Sequence, residues 1–176
     1  MRHLLQRTGI FFLALFYLAA LTGCGAEQAS SSPQQAFPAF STRDLNGNVV
    51  TQEIFAGKKV TVVNVWGTFC PPCIGEMPEL GAWAKEMPEG AQIIGLICDV
   101  EGEGDTRHLE LARKILSEAH ADFVNIYPDE ALTKRLDSVE AVPTTFLVDS
   151  NGKIIGEPVI GADVAAYRSA VERYLK

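Results

Sequence analysis

The chain lacks any run of basic residues, and its 15 Lys and Arg stand against 22 Asp and Glu, a formal charge of −7 over 176 residues. Nucleic acids and anionic membrane surfaces recruit clustered Lys and Arg, so neither is expected as a partner. Cysteine is scarce as well. Four residues cannot staple a disulfide-dependent mini-fold, which points to local chemistry rather than scaffolding. Only one C-x-x-C is present, with no H-x3-H, and a zinc site wants four ligands. No apolar stretch reaches the roughly 18 to 20 residues a membrane span needs, and no internal repeat is visible. What remains is 47% apolar, enough for one ordinary domain with a real core.

The N-terminal residues are set apart from that domain. Arg2, His3 and Arg7 precede an unbroken apolar run from Ile10 to Leu21, followed by Leu21-Thr22-Gly23-Cys24. The run suits the core of a signal peptide, and its ending resembles the lipobox of bacterial lipoproteins. That resemblance implies a signal peptide over 1–23 and a diacylglycerol on the thiol of Cys24, with ordinary secretory cleavage as the alternative. In either case the domain is expected outside the cytoplasm, where disulfides persist. Without residues 1–23 the balance is 13 basic against 22 acidic residues, a charge of −9. Residues 24–36 carry no large apolar side chain and read as a flexible tether reaching roughly 20 Å.

Residues 37–176 alternate strand and helix signals, an α/β pattern. Asn46-Gly47 between short apolar segments predicts an N-terminal β-hairpin within Phe40 to Thr51. Lys59 to Trp66 and Ala91 to Cys98 read as buried strands. A helix is expected from the cysteine motif to about Met87, and another through Leu109, Ala112, Leu116 and Ala119. Thr144 to Asp149 and Ile154 to Ile160 read as a hairpin, and Val164, Tyr167, Val171 and Leu175 as a final helix capped by Asp163. Together these predict a short mixed sheet with helices on both faces.

The chemistry is concentrated in Cys70-Pro71-Pro72-Cys73, where a strand ends and a helix begins. Orphan N–H groups and the macrodipole at a helix N-terminus stabilise a thiolate, which makes Cys70 the attacking sulfur. Cys73, one turn on and pointing inward, is placed to resolve a mixed disulfide. Pro71 and Pro72 lack N–H groups and so limit the hydrogen bonds a thiolate can collect. An inert structural disulfide or half of a zinc site are the competing readings.

Three separated segments carry a resemblance: Val65-Trp66-Gly67-Thr68-Phe69-Cys70-Pro71-Pro72-Cys73, Glu76-Met77-Pro78-Glu79-Leu80, and Val142-Pro143-Thr144-Thr145-Phe146-Leu147-Val148-Asp149. Over residues 37–176 the chain resembles thioredoxin-fold thiol-disulfide oxidoreductases of the TlpA/ResA type, which are membrane-tethered and extracytoplasmic. By this resemblance Pro143 is a cis-proline beside the cysteines, leaving the Val142 backbone free to pair with a substrate strand; a trans proline at a strand start is the alternative. Trp66, Pro71, Pro72, Val142 and Thr144 then form the substrate surface, and Pro78 falls where such folds kink the active-site helix. Thioredoxins carry a buried aspartate six residues before the first cysteine, where this chain has Asn64. Glu76 matches the recurrent glutamate of the TlpA/ResA type, so proton transfer at Cys73 is expected to pass through it; a solvated first-turn glutamate is the alternative. The resemblance further implies a monomer without a cofactor, recharged by a membrane electron-donor protein. Its substrates would be disulfide-containing exported proteins, such as apocytochrome c or secreted redox-repair enzymes.

Three features stand outside this reading. Cys98 should lie at the same sheet edge as the active site, as a small buried hydrophobe or as a further redox or metal group. Asp99 to Glu110 has the spacing of a calcium loop, but Glu at its third and fifth positions and Arg107 at its ninth fit poorly; a solvated acidic loop is preferred. His108 and His120 sit about 120° apart on a helix and do not form a metal pair. A Cu(I) metallochaperone is the alternative function, since two thiolates can hold Cu(I), although the distal histidine of copper-delivering relatives is absent. A disulfide-forming oxidant is another. Peroxidase chemistry is disfavoured because Thr68-Phe69-Cys70 is one residue short of the Thr-x-x-Cys it uses.

Overall fold

The computed structural model describes residues 36–176, so the expected signal peptide, Cys24 and nearly all of the tether lie outside the described residues. Ala36, expected to end the tether, already forms an antiparallel bridge with Lys153. The N-terminal hairpin is present as β1 (Ser41–Arg43) and β2 (Val49–Thr51). The remaining strands are β3 (Val60–Trp66), β4 (Ala91–Ile97), β5 (Val124–Ile126), β6 (Thr144–Val148) and β7 (Val159–Ile160). They form one sheet in the order β5-β4-β3-β6-β7, parallel from β3 to β5 and antiparallel across β6 and β7. β3 is the central strand, and every one of its residues is buried, as its β-branched run requires.

Helices α1 (Pro71–Lys85), α2 (Thr106–Glu118), α3 (Glu130–Leu136) and α4 (Val164–Leu175) cover both faces. β4 and then β5 continue outward on one side of β3, so right-handed crossovers place α1 and α2 on the same face. α4 joins them there, with Met77, Leu80, Trp83, Leu109, Leu116, Tyr167 and Val171 in one core. β6 lies on the other side of β3, and the return from β5 carries α3 across the opposite face. That face closes on Val63, Val65, Ile94, Leu96 and Phe146, with Phe37, Phe40 and Phe55 packed edge to face.

β5 and α3 are absent from the sequence reading. Each is short, and each is held by the N-terminal hairpin rather than by its own pattern. Thr42 Oγ1 donates to the Tyr127 carbonyl at 2.6 Å, Asp44 bridges Ile126, and Ser41 N–H donates to the Asp129 carboxylate at 2.9 Å. Arg113 of α2 donates twice to the Leu45 carbonyl, at 2.7 and 3.1 Å, and clamps the hairpin turn over β5. The exposed edge of the sheet is thereby covered. The second expected hairpin is also reshaped: Ile154 makes only an isolated bridge to Val148, and pairing resumes at β7.

Candidate active site

β3 ends at Trp66 and α1 begins at Pro71, so the four intervening residues turn at the carboxyl edge of the sheet. Thr68 fixes this turn. Its N–H donates to the Asp99 carboxylate at 3.0 and 3.1 Å, and its hydroxyl donates to the same group at 2.5 Å. Gly67 leaves room for the Phe69 ring, which lies 2.5 Å from where a Cβ would stand and would have to swing away from a larger residue. Cys70 is the N-cap of α1, and its Sγ accepts the Cys73 N–H at 3.2 Å. Pro71 and Pro72, both exposed, occupy the first two helical positions and contribute no donor.

Cys70 and Cys73 are joined by a disulfide of 2.05 Å. Cys73 is fully buried and Cys70 is 3% exposed. What distinguishes Cys70 is therefore its place at the helix N-terminus and the lip of the site. Phe69, 66% exposed, and Ile74 flank it as an apolar collar. The Val142–Pro143 bond is cis, and the Val142 carbonyl lies 3.5 Å from Cys70 Sγ. Pro143 is buried, Val142 half-buried, and the Gly161 N–H donates to the Pro143 carbonyl at 2.8 Å, tying this loop to the end of β7.

Two expected substrate-surface residues are corrected. Trp66 is wholly buried, with Nε1 donating to Asn125 Oδ1 at 2.9 Å, because it points inward at the end of a central strand. The side chain that meets solvent is Phe69, a position the sequence reading passed over although it directly precedes Cys70. Thr144 is also buried, and its hydroxyl donates to the Ala141 carbonyl at 2.7 Å, so it shapes the proline loop rather than facing a partner.

Beneath the cysteines lies a buried polar cluster. β3 and β6 are in register with Asn64 opposite Thr145, and Asn64 Nδ2 donates to Thr145 Oγ1 at 3.0 Å and to Glu76 Oε1 at 2.9 Å. Among the described residues, Asn64 Oδ1 is buried without a protein partner. Tyr167 of α4 places its hydroxyl 3.1 Å from Glu76 Oε2. Glu76 is only 6% exposed, which removes the solvated-glutamate alternative. Burial raises its carboxyl above the ordinary value, helped by the charge of Glu79 and opposed by the hydrogen bonds from Asn64 and Tyr167. Burial likewise pushes the Tyr167 hydroxyl up to about 12, leaving it a protonated donor. Pro78 lies inside α1 on its exposed side.

The remaining candidates fall elsewhere. Cys98 is a free, half-buried thiol, pushed up to about 11 by burial and by the charge of Asp99, so it is not a thiolate. Three of the five carboxylates in the acidic loop are engaged by the protein itself: Asp99 holds Thr68, Glu103 pairs with Arg43, and Asp105 caps α2 while accepting from His108 Nδ1 at 2.7 Å. His120 lies past the end of α2 with φ 51°, apart from His108. Among the described residues no group of three or more His, Cys, Asp or Glu gathers to hold a metal ion.

Residues 32–169 match the Redoxin family model. The thiol:disulfide interchange protein DsbE of Pseudomonas aeruginosa is 32% identical over 162 residues, covering 90% of this chain and 83% of that protein. The thiol-disulfide oxidoreductase ResA of Bacillus thuringiensis subsp. konkukian is 29% identical over 143 residues, covering 79% and 74%. Among solved structures, the thioredoxin domain of a thiol-disulfide oxidoreductase from Bacteroides vulgatus superposes with a TM-score of 0.64 at 25% identity, covering 84% of this chain and all of that one. With its cysteine pair capping α1 and a proline loop against it, the chain belongs to the Redoxin family and is a thioredoxin-like thiol-disulfide oxidoreductase of the TlpA/ResA type.

Proposed function

We propose that the protein is a reductant of disulfides in exported proteins, anchored outside the cytoplasm through a diacylglycerol on Cys24. Cys70 attacks one sulfur of a substrate disulfide, forming a mixed disulfide and expelling the first substrate thiolate. Cys73 then gives up its proton and attacks Cys70 Sγ, which expels the second substrate thiolate and leaves the Cys70–Cys73 disulfide. Glu76, buried one turn along α1 from Cys73, takes that proton and returns it when a membrane electron donor reduces the pair. The substrate strand lies along Val142 and Pro143, with Pro71, Pro72 and Phe69 beside it. Apocytochrome c and secreted redox-repair enzymes are the proposed substrates, and the protein acts as a monomer.

One observation carries the direction of electron flow. Cys70 Sγ accepts a single N–H, from Cys73, because Pro71 and Pro72 supply none, and it faces the Val142 carbonyl rather than a cation. A poorly stabilised thiolate favours the disulfide over the dithiol, which lowers the reduction potential and makes the dithiol a stronger reductant. Equilibrating the full chain in detergent against defined thiol buffers tests this. A potential near or below roughly −250 mV is expected; one near about −120 mV would make the protein a disulfide-forming oxidant.

A further inference from the structure

The Tyr167 hydroxyl has one proton and two acceptors. It lies 2.7 Å from the Gly161 carbonyl and 3.1 Å from Glu76 Oε2, and it weakly accepts the Asp163 N–H at 3.3 Å. The shorter distance is that of a made O–H···O bond. The longer one is well beyond the roughly 2.5 to 2.7 Å of a hydroxyl donating to a carboxylate. The one hydroxyl proton can serve only one of these acceptors at a time, and the shorter distance favours the Gly161 carbonyl, with Glu76 Oε2 then facing an oxygen lone pair. That contact is favourable only when Glu76 is protonated and itself donates to Tyr167. An ionised Glu76 needs the Tyr167 proton, and Gly161 then loses its donor.

We infer that Tyr167 is a positioning residue whose single hydroxyl proton is held in turn by the Gly161 carbonyl and by Glu76, so that ionisation of Glu76 frees the Gly161 carbonyl from α4. Gly161 also donates its N–H to the Pro143 carbonyl at 2.8 Å, so the segment that senses Glu76 is the one bonded to the proline loop beside Cys70. In a simple titration the Glu76 proton goes to solvent; in turnover it goes to the Cys73 thiolate, and that second statement rests on the function proposed above. The titratable groups that act on Glu76 are Tyr167 from α4 and Glu79 on α1 itself, while Cys73 is held in the disulfide and does not titrate in the oxidised chain. β3 and β6 present the neutral Asn64 and Thr145.

Carbon-13 NMR of the oxidised full chain in detergent, labelled at Glu side-chain carboxyls and Gly carbonyls, tests the exchange. The Glu76 carboxyl and the Gly161 carbonyl should titrate with one midpoint. In Tyr167→Phe, which keeps the ring in its buried slot, Gly161 should stop responding, and the Glu76 midpoint should rise by about one pH unit as the carboxylate loses a donor. In Glu76→Gln, Gly161 should stay at its low-pH position throughout. A Gly161 signal that is flat across the Glu76 titration, or that still titrates in either variant, overturns the inference. Because every arm is read without substrate or reductant, the outcome is separate from the catalytic role of Glu76. Unchanged exchange kinetics in Glu76→Gln would remove Glu76 from the chemistry of Cys73 and leave the shared proton standing. Lost exchange with a silent Gly161 would do the opposite.

Discussion

At the scale of single residues, Glu76 shows how burial changes the protonation of a surface-type residue. Its carboxyl is raised above the ordinary 4.5, so the folded protein holds a proton that the unfolded chain releases. The associated stability is complete below 4.5 and is lost as pH rises through the raised folded value, because the unfolded state then binds fewer protons than the native one. Glu76→Gln should remove that slope, so denaturant midpoints of variant and wild type should diverge in favour of the variant as pH rises through this window. Parallel curves would show that Glu76 is solvated. The cysteines carry a sharper prediction. Cys70→Ser should abolish dithiol exchange, whereas Cys73→Ser should accumulate substrate as a mixed disulfide, visible as a non-reducing gel shift that dithiothreitol reverses. Turnover retained in Cys70→Ser would refute the assignment of the attacking sulfur. Cys70 and Cys73 were legible in the sequence as a C-x-x-C where a strand gives way to a helix, and Glu76 through the family resemblance. Tyr167 was not, since its hydroxyl meets Glu76 from 91 residues away and nothing local distinguishes it from an ordinary core tyrosine.

At the scale of elements, local signals succeeded where an element is long or capped by its own residues. β3 announces itself by its β-branched run, α1 by the Cys70 cap and two leading prolines, and α4 by Asp163, whose side chain accepts the Ala166 N–H at 2.9 Å. The three-residue β5 and seven-residue α3 are too short to show a period, and the hairpin docked on them holds them in place. Asp129 joins the two, accepting the Leu132 N–H at 2.9 Å as the cap of α3 and the Ser41 N–H at 2.9 Å from β1. Asp129→Ala should cost about 1 to 2 kcal/mol in urea denaturation, with faster amide exchange at both Leu132 and Ser41. Exchange quickened at Leu132 alone would confine Asp129 to its helix. In β4, Gly95 is equally contextual: a Cβ there would meet Asn125 Oδ1 at 1.8 Å, the same atom that accepts from Trp66. No pattern within β4 hints at that requirement.

At the scale of the whole molecule, the proposed lipid on Cys24 makes membrane attachment depend on that one thiol; among the described residues no helix is long and apolar enough to cross a membrane. Cys24→Ser should move the protein from the membrane fraction to the soluble extracytoplasmic fraction while leaving the redox activity of the released domain intact. Retention in the membrane would locate the anchor elsewhere. Much of this was determined by the sequence alone, because it depends on order along the chain: the α/β alternation, the cysteine pair at a strand-to-helix junction, and the proline preceding β6. Tertiary structure alone decided which side chains the junction exposes, burying Trp66 and leaving Phe69 at the lip. It also brought Asp99 onto Thr68, and Asn64, Glu76, Thr145 and Tyr167 into one buried cluster. The physical reason is that sequence spacing sets which face of an element a residue occupies, whereas hydrogen-bond partners and proton positions depend on which other faces the sheet order brings against it.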